Sequence, residues 1–256
     1  MINKFDDIAP IYDAHFTYSE IGKKQRNLVY NHLKSLLPTN KKWDILEVNG
    51  GTGEDSIWLA EKGHQVLCTD ISEGMIEQAR KKTTSSNLHF ETLDINTLQT
   101  KNFDTKFDLI LSNFGGLNCL SPSDLKSFIN NTVSLLKKDG RLILVIMPKN
   151  CLWENLFFSL KREWKKVGRR KKEFVLANVG KEKVKTFYYN PLNLKEETKG
   201  LFINQAIKPI GLFVPPSYLE PLFKNRSSLL NLFFKLDLFL QPISILSKYL
   251  NTFVTL

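Results

Sequence analysis

Along the first 150 residues, short apolar runs alternate with longer stretches whose apolar residues recur three or four apart. "WDILEV" (43–48), "HQVLCTD" (64–70), "LHFETLD" (88–94), "FDLILSN" (107–113) and "RLILVIM" (141–147) are rich in Ile, Leu, Val and Phe, the pattern of strands buried on both faces. Helices are predicted between them. Residues 54–62 stop at Gly63, and Ser72 can cap a helix running to about Lys82. "SPSDLKSFINNTVSLLKKDG" opens on Ser and Asp caps, keeps Leu125, Phe128, Ile129, Val133 and Leu136 in helical register, and stops at Gly140. Residues 20–37 predict a further helix that ends at Pro38. Strand and helix alternating in this order predict an α/β fold with a doubly wound, mostly parallel sheet.

Beyond residue 150 the pattern changes. "LWENLFFSL" leads into "KREWKKVGRRKKEF", where eight of the twelve residues from Lys161 to Lys172 are basic. "GLFVPPSYLEPLF" reads as a strand leaving through Pro215 and Pro216, beside a ligand pocket. In "LLNLFFKLDLFL" (229–240), a helical wheel gathers Leu229, Leu232, Phe233, Leu236, Phe239 and Leu240 on one face, with Asn231, Lys235, Asp237 and Gln241 on the other. With Lys235 and Asp237 inside it and Pro242 after it, the run is too short and too charged to span a bilayer, which takes about 20 apolar residues. Packing against the domain or a second subunit is expected, with an interfacial membrane helix as the alternative. Four segments follow: an N-terminal helical cap (1–40), a core (41–150), a basic lid insertion (151–200), and final strands with an apolar C-terminal helix (201–256).

Charge sharpens this division. Residues 1–150 carry 18 Lys and Arg against 18 Asp and Glu, whereas residues 151–256 carry 18 against 8, so the whole net charge of +10 lies in the second part. That part is expected to meet something anionic: an anionic membrane surface, a carrier or, less favoured, nucleic acid. Cys68, Cys119 and Cys151 lie far apart among apolar residues, as buried thiols in a reducing compartment do. His15, His32, His64 and His89 are scattered without ligand spacing, so no metal site is expected. "MINKFDDIAP" lacks the apolar core of a signal peptide, which makes a cytoplasmic location, peripheral at the membrane or not, the expectation.

The candidate chemistry sits in "ILEVNGGTGED" (45–55). Here the first strand runs into Asn49, Gly50, Gly51 and Gly53, at the strand-to-helix turn where backbone N–H groups converge on a ligand. Glycines let a ligand approach the backbone, and Asn tolerates a left-handed conformation. Asp70 ends the second strand 23 residues after Glu47, where a carboxylate can accept from both hydroxyls of a ribose. No Lys-Ser or Lys-Thr follows the glycines, which excludes a phosphate cradle of the G-x-x-x-x-G-K-[ST] type. Glu47 before the turn, with Glu54 and Asp55 after it, would repel a pyrophosphate and suit a cation.

These residues resemble the class I S-adenosylmethionine-dependent methyltransferases, particularly the small-molecule branch that includes the ubiquinone and menaquinone enzymes. "LEVNGGTG" is similar to the family's E-x-G-x-G-x-G loop, with Asn49 in place of its first glycine. "CTDIS", "ETLDIN", "FDLILSNFGGLNCL", "LLKKDGRLILVIM" and the N-terminal "FDDIAPIYD" match further segments in order, over about residues 5–150, with a weaker continuation through "GLFINQAIKPIGLFV". The resemblance implies a seven-stranded Rossmann-like fold with an N-terminal helix and an inserted helical lid. It also implies S-adenosyl-L-methionine as cofactor: Asp70 on the ribose, Glu47 with the Gly51 and Gly53 backbone around the methionine portion, and Asp94 with the Ile95 N–H on the adenine. Ile71 and Met75 would pack on the adenine, and Asn113 and Phe114 would lie beside the methyl donor. Tyr12, His15 and Tyr18 are candidate bases, none of them assigned. A small, largely apolar acceptor is implied, such as a quinone precursor, a polyketide-like aromatic or a lipid, and a homodimer stays open. The rivals are an RNA or protein methyltransferase, which "SNFGG" disfavours because it lacks an N-P-P-Y-type tetrad, and a non-catalytic cofactor-binding module.

Overall fold

The computed structural model describes residues 4–101, 103–203, 206–243 and 251–256. A short helix α1 (Ala9–Tyr12), preceded by a tight 3-10 turn and followed by a wider π turn (Asp13–Thr17), precedes the helix α2 (Glu20–Leu36), whose first turn is capped by Ser19. Strands and helices then alternate: β1 (Asp44–Val48), α3 (Glu54–Glu61), β2 (Gln65–Asp70), α4 (Glu73–Lys82), β3 (Leu88–Thr92), β4 (Phe107–Ser112), α5 (Pro122–Leu135) and β5 (Leu136–Ile146). Next come α6 (Leu152–Leu160), β6 (Val175–Val179), β7 (Glu182–Thr186), α7 (Pro191–Glu197), β8 (Ala206–Ile210), α8 (Glu220–Phe223), α9 (Ser227–Leu240) and β9 (Asn251–Thr255). A seven-stranded sheet has the order β3-β2-β1-β4-β5-β9-β8, in which the first five strands are parallel and β9 runs antiparallel to both of its neighbours. The strand order reverses between β1 and β4, and that reversal opens a crevice at the carboxyl ends of the strands.

The period of two along each strand divides the core into two layers. Ile45, Leu109, Leu111, Ile143 and Val145 face α2, α3 and α9, whereas Leu46, Val48, Ile110, Leu142 and Leu144 face α5. Glu47 therefore points to the same side as Ile45, under α3 rather than outward, and is 1% exposed.

Five expectations change, the last of them at a cysteine. The helix expected to run to Gly140 ends at Leu135, because β5 begins at Leu136 and shifts register between the pairs Phe107↔Leu136 and Leu109↔Arg141. On that helix Thr132 is buried and Val133 is exposed, the threonine hydroxyl being satisfied by the Ile129 carbonyl at 2.6 Å. The insertion after residue 150 is not all helix: a hairpin, β6-β7, turns at Gly180 (φ 58°), and the basic run forms two short turns, Trp164–Lys166 and Arg169–Lys171. Next, α9 packs through the face that carries Leu230, Asp237 and Gln241, while Leu232 and Phe239 face outward. Asp237 is buried because its carboxylate accepts the N–H groups of Leu212, Phe213 and Val214 at 2.7, 2.9 and 2.8 Å. Gln241 joins the Leu28 carbonyl and Asn31 of α2 in the same way. Of the cysteines, Cys68 is buried, Cys151 half-buried and Cys119 exposed. Asn204 and Gln205 of the late strand region, and residues 244–250, lie outside the described residues.

Candidate active site

The turn after β1 is built for close approach. Asn49 adopts φ 56°, followed by Gly51 at 55° and Gly53 at 75°, so three of its five residues are left-handed. Gly50 N–H donates to the Thr69 carbonyl at 2.9 Å and stitches the turn to β2. The two left-handed glycines do different jobs. A Cβ on Gly53 would lie 2.9 Å from Ala79 Cβ, so this residue lets α3 sit against α4. A Cβ on Gly51 would meet nothing within 4 Å, so this residue faces open space.

Asp70 borders that space. Its Oδ2 accepts Gly51 N–H at 2.8 Å and its Oδ1 accepts Ser72 N–H at 2.9 Å. Burial pushes its carboxyl above the ordinary range, although the N–H groups of Ser72, Gly51 and Ile71 pull it down. Ser72 caps α4 through Met75 N–H, as the sequence predicts, but Asp70 is not left idle by that cap: it holds the turn together and keeps spare acceptor capacity on its oxygens. Glu47 accepts from Ser56 Oγ, and burial, then Asp55, drives its carboxyl well up.

The acidic residues after the turn are neutralised from a distance. Arg26 of α2 pairs with Asp55 at 2.5 Å, and Asn113 Nδ2 donates to the other Asp55 oxygen at 2.9 Å. Lys82 of α4 lies 3.4 Å from Glu54 and 2.5 Å from Asp13. The negative rim predicted from Glu54 and Asp55 is therefore paired, and Glu47 and Asp70 supply the acidic groups of the turn. The N-terminal segment is tied across it: Thr52 Oγ1 donates to Asp13 at 2.6 Å, and Ser72 Oγ and Gly74 N–H donate to Asp6 at 2.5 and 3.1 Å.

Glu47, Asn49, Gly50, Gly51, Gly53, Asp70, Asn113 and Phe114 thus meet at the carboxyl ends of β1, β2 and β4. Ile71, 40% exposed, and Asp94 lie along the same edge, where Leu93 N–H donates to the Asp70 carbonyl at 2.9 Å. Asp94 caps the turn Ile95–Thr100 through Asn96 N–H at 2.9 Å, and Ile95 is buried. Met75 is packed into the core of α4 at 2% exposure. Asp13 and Thr52 lie within quoted segments, "FDDIAPIYD" and "LEVNGGTG", whereas Arg26 and Lys82 join them without any motif to announce them.

Beside the turn opens a cavity of about 1250 Å³, walled by Tyr12, His15, Phe16, Trp153, Met147 and Tyr218 among others. Phe114 and Gly115, which follow β4, are in its wall; Glu47, Gly51 and Asp70 are not. Phe114 (φ 44°) packs edge-on to Phe16 at 5.4 Å, with the Arg26 guanidinium over its ring at 5.3 Å. The Tyr12 hydroxyl is pushed up to about 12, chiefly by loss of water, which keeps it protonated near neutrality. His15 Nδ1 is 3.0 Å from the Ile11 carbonyl. Among the described residues no cluster of His, Cys, Asp and Glu could hold a metal ion.

A sheet of this order, with a glycine turn after β1, an acid at the end of β2 and a cavity beyond β4, defines the class I methyltransferase fold. Residues 45–140 match the family described as methyltransferase domain. Over 145 residues the chain is 32% identical to the non-reducing polyketide synthase prhL of Penicillium brasilianum, which covers 52% of this chain and 6% of the synthase. It is 34% identical over 142 residues to a malonyl-[acyl-carrier protein] O-methyltransferase of Acetivibrio thermocellus (54% of this chain, 46% of the relative). It is also 32% identical over 149 residues to the demethylmenaquinone methyltransferase of Bacteroides fragilis (55% and 57%). The chain thus spans little of the synthase and about half of the two smaller relatives. Among solved structures, the DhpI complex with SAH superposes with a TM-score of 0.58 at 15% identity, covering 98% of this chain and 91% of that one.

Proposed function

We propose that this chain binds S-adenosyl-L-methionine at the glycine turn and transfers its methyl group to a small, largely apolar acceptor held in the adjoining cavity. The observation that carries this reading is the pairing of two spaces. One is open beside Gly51 and rimmed by Asp70; the other is apolar and about 1250 Å³, with Phe114 and Gly115, just beyond the end of β4, in its wall. When bound, the cofactor supplies a methyl group activated on a sulfonium. Asp70 accepts from the ribose hydroxyls, and Glu47 with the Gly50, Gly51 and Gly53 backbone surrounds the methionine portion. Asp94 and the Ile95 N–H meet the adenine, Ile71 covers it, and Asn49, Asn113 and Phe114 shape the passage to the acceptor. Holding donor and acceptor in contact contributes about 7–11 kcal/mol to such a displacement. The relatives named for polyketide and menaquinone chemistry support an apolar acceptor.

Calorimetry tests the reading directly. The purified chain is expected to take up S-adenosylhomocysteine and not NAD, and to transfer labelled methyl to quinone precursors, aromatic polyketides or lipid extract. Uptake of the dinucleotide alone refutes it; transfer to RNA alone moves the acceptor class; binding without transfer to any acceptor leaves a cofactor-binding module.

A peripheral membrane contact has its own support. Leu152, Leu156, Leu160 and Trp164, spaced four apart along α6 and the turn after it, are 49%, 52%, 76% and 66% exposed, and Lys161, Arg162, Lys165, Lys171 and Lys172 are exposed beside them. Among the described residues no helix is long and apolar enough to cross a membrane. Each basic residue near an anionic surface contributes about 1 kcal/mol, so replacing Lys161, Lys165, Lys171 and Lys172 by Gln should largely abolish partition onto phosphatidylglycerol vesicles. Unchanged partition removes this contact.

A further inference from the structure

Two arginines converge on one buried carboxylate at the wall of the cavity. Glu154, 1% exposed, receives Arg169 Nε on Oε1 at 3.0 Å and Arg169 Nη2 on Oε2 at 3.2 Å. Arg170 adds Nε and Nη2 on Oε2 at 3.1 and 3.0 Å. Arg169 alone satisfies both oxygens. Arg170 is 6% exposed and its guanidinium lies 4.7 Å over the Tyr188 ring, so its charge has been taken out of water for a carboxylate that already had a partner. Its third nitrogen, Nη1, is buried with no hydrogen-bond partner among the described residues. Removing a guanidinium from water is costly unless an anion and hydrogen bonds replace the lost hydration.

Arg170 also lines the cavity, together with Cys151, Trp153 and Tyr218. Of the carboxylates in that wall, Glu220 is taken up by the N–H groups of Glu20 and Ile21 at 3.0 and 2.9 Å, and Glu20 lies 3.6 Å from Lys23. Among the described residues the two arginines share Glu154 as their carboxylate, which leaves the cluster one positive charge in surplus. We infer that the acceptor carries an oxyanion, a carboxylate or phosphate, that docks on the Arg170 guanidinium, with its apolar body along Trp153 and Tyr218. The inference rests on the reading that this cavity holds the methyl acceptor. It adds a polar handle to a largely apolar pocket and so gives the acceptor one anchored end.

The test uses three ligands that share one ring system: 2-naphthoate, 2-naphthyl phosphate and the uncharged 2-naphthamide, titrated calorimetrically into the full chain with and without saturating S-adenosylhomocysteine. At least one anion is expected to bind about 10-fold or more tightly than the amide, as one charge-assisted hydrogen bond allows. The two anions separate carboxylate from phosphate. Arg170→Gln should reduce the anion's affinity to that of the amide and leave uptake of S-adenosylhomocysteine unchanged, and Arg170→Lys should restore part of the difference. Because the comparison of anion with amide is made on the unaltered protein, it stands even if Arg170→Gln unfolds. Equal binding of amide and anions, no binding of either anion at millimolar concentration, or discrimination that survives in a folded Arg170→Gln variant overturns the inference. Failure of the nucleoside alone to bind counts against the proposed cofactor and leaves the anion comparison readable.

Discussion

Replacing Asp70 by Asn separates its two jobs. The carboxylate takes Gly51 N–H on one oxygen at 2.8 Å and Ser72 N–H on the other at 2.9 Å. An amide has one acceptor oxygen, so in either orientation its NH2 faces one of these donors. The lost charge-assisted bond costs about 1.5–3 kcal/mol. Against this, burial holds the Asp70 carboxyl above its ordinary range, so ionising it in the folded protein is itself costly, and a neutral amide escapes that cost. The two effects offset, and unfolding in urea should change by no more than about 1.5 kcal/mol. Ribose binding has no such compensation. Losing one charge-assisted bond to a hydroxyl weakens S-adenosylhomocysteine uptake by roughly 10- to 150-fold, readable by calorimetry. A carboxylate with a raised folded pKa also loses its accepting charge at a higher pH than the ordinary value near 3.9, so affinity in the natural chain should fall earlier on acidification than such a value predicts, and the Asn variant should show no such fall. An affinity within two-fold of the natural chain, in a folded variant, refutes the role given to Asp70.

Asp237→Ala strips the acceptor from three backbone N–H groups at 2.7–2.9 Å and should cost about 3 kcal/mol or more in urea unfolding; a loss below about 1 kcal/mol would show that those groups find other partners. Gly53→Ala combines φ 75° with a contact 2.9 Å from Ala79 Cβ and should destabilise by about 2–4 kcal/mol, as followed by thermal unfolding. His32 is lowered to about 4, mainly by burial, with Lys208 adding to it against the Pro209 backbone. Its folded form resists protonation, so this contribution to stability is present above about 6.5 and is lost as pH falls toward 4, by up to about 3 kcal/mol. Urea unfolding across that range should show a shallower pH dependence in His32→Gln, and identical slopes would remove the assignment.

Where neighbouring residues decide the structure, the sequence is a good guide. Ser72 and Ser121 cap α4 and α5, and Asn49 takes the left-handed conformation that lets it stand where a glycine is usual. The strand positions follow from apolar runs that only a sheet covered on both faces can bury. What the sequence hides is polar burial whose partners are distant. Asp237 and Gln241 look like the wet side of an amphipathic helix, yet their partners, the N–H groups of residues 212–214 and the carbonyl of Leu28, draw that side inward and leave Phe239 80% exposed. The same blindness makes the eight basic residues look alike, although Arg170 among them is bound to Glu154 and lines the cavity. Arg26 and Lys82 carry no local signature, and only the fold brings them to Asp55, Glu54 and Asp13.

The strap formed by Asp6 and Asp13 has a kinetic meaning. It is fastened to the strand ends by a lysine, two hydroxyls and one amide rather than by a broad greasy seam. Only the lysine makes an ion pair, and with its two side chains 16% and 18% exposed it is largely sheltered from dissolved ions. A guest at the strand ends would then come and go by the breaking of a few directional bonds, at a tempo that salt hardly alters.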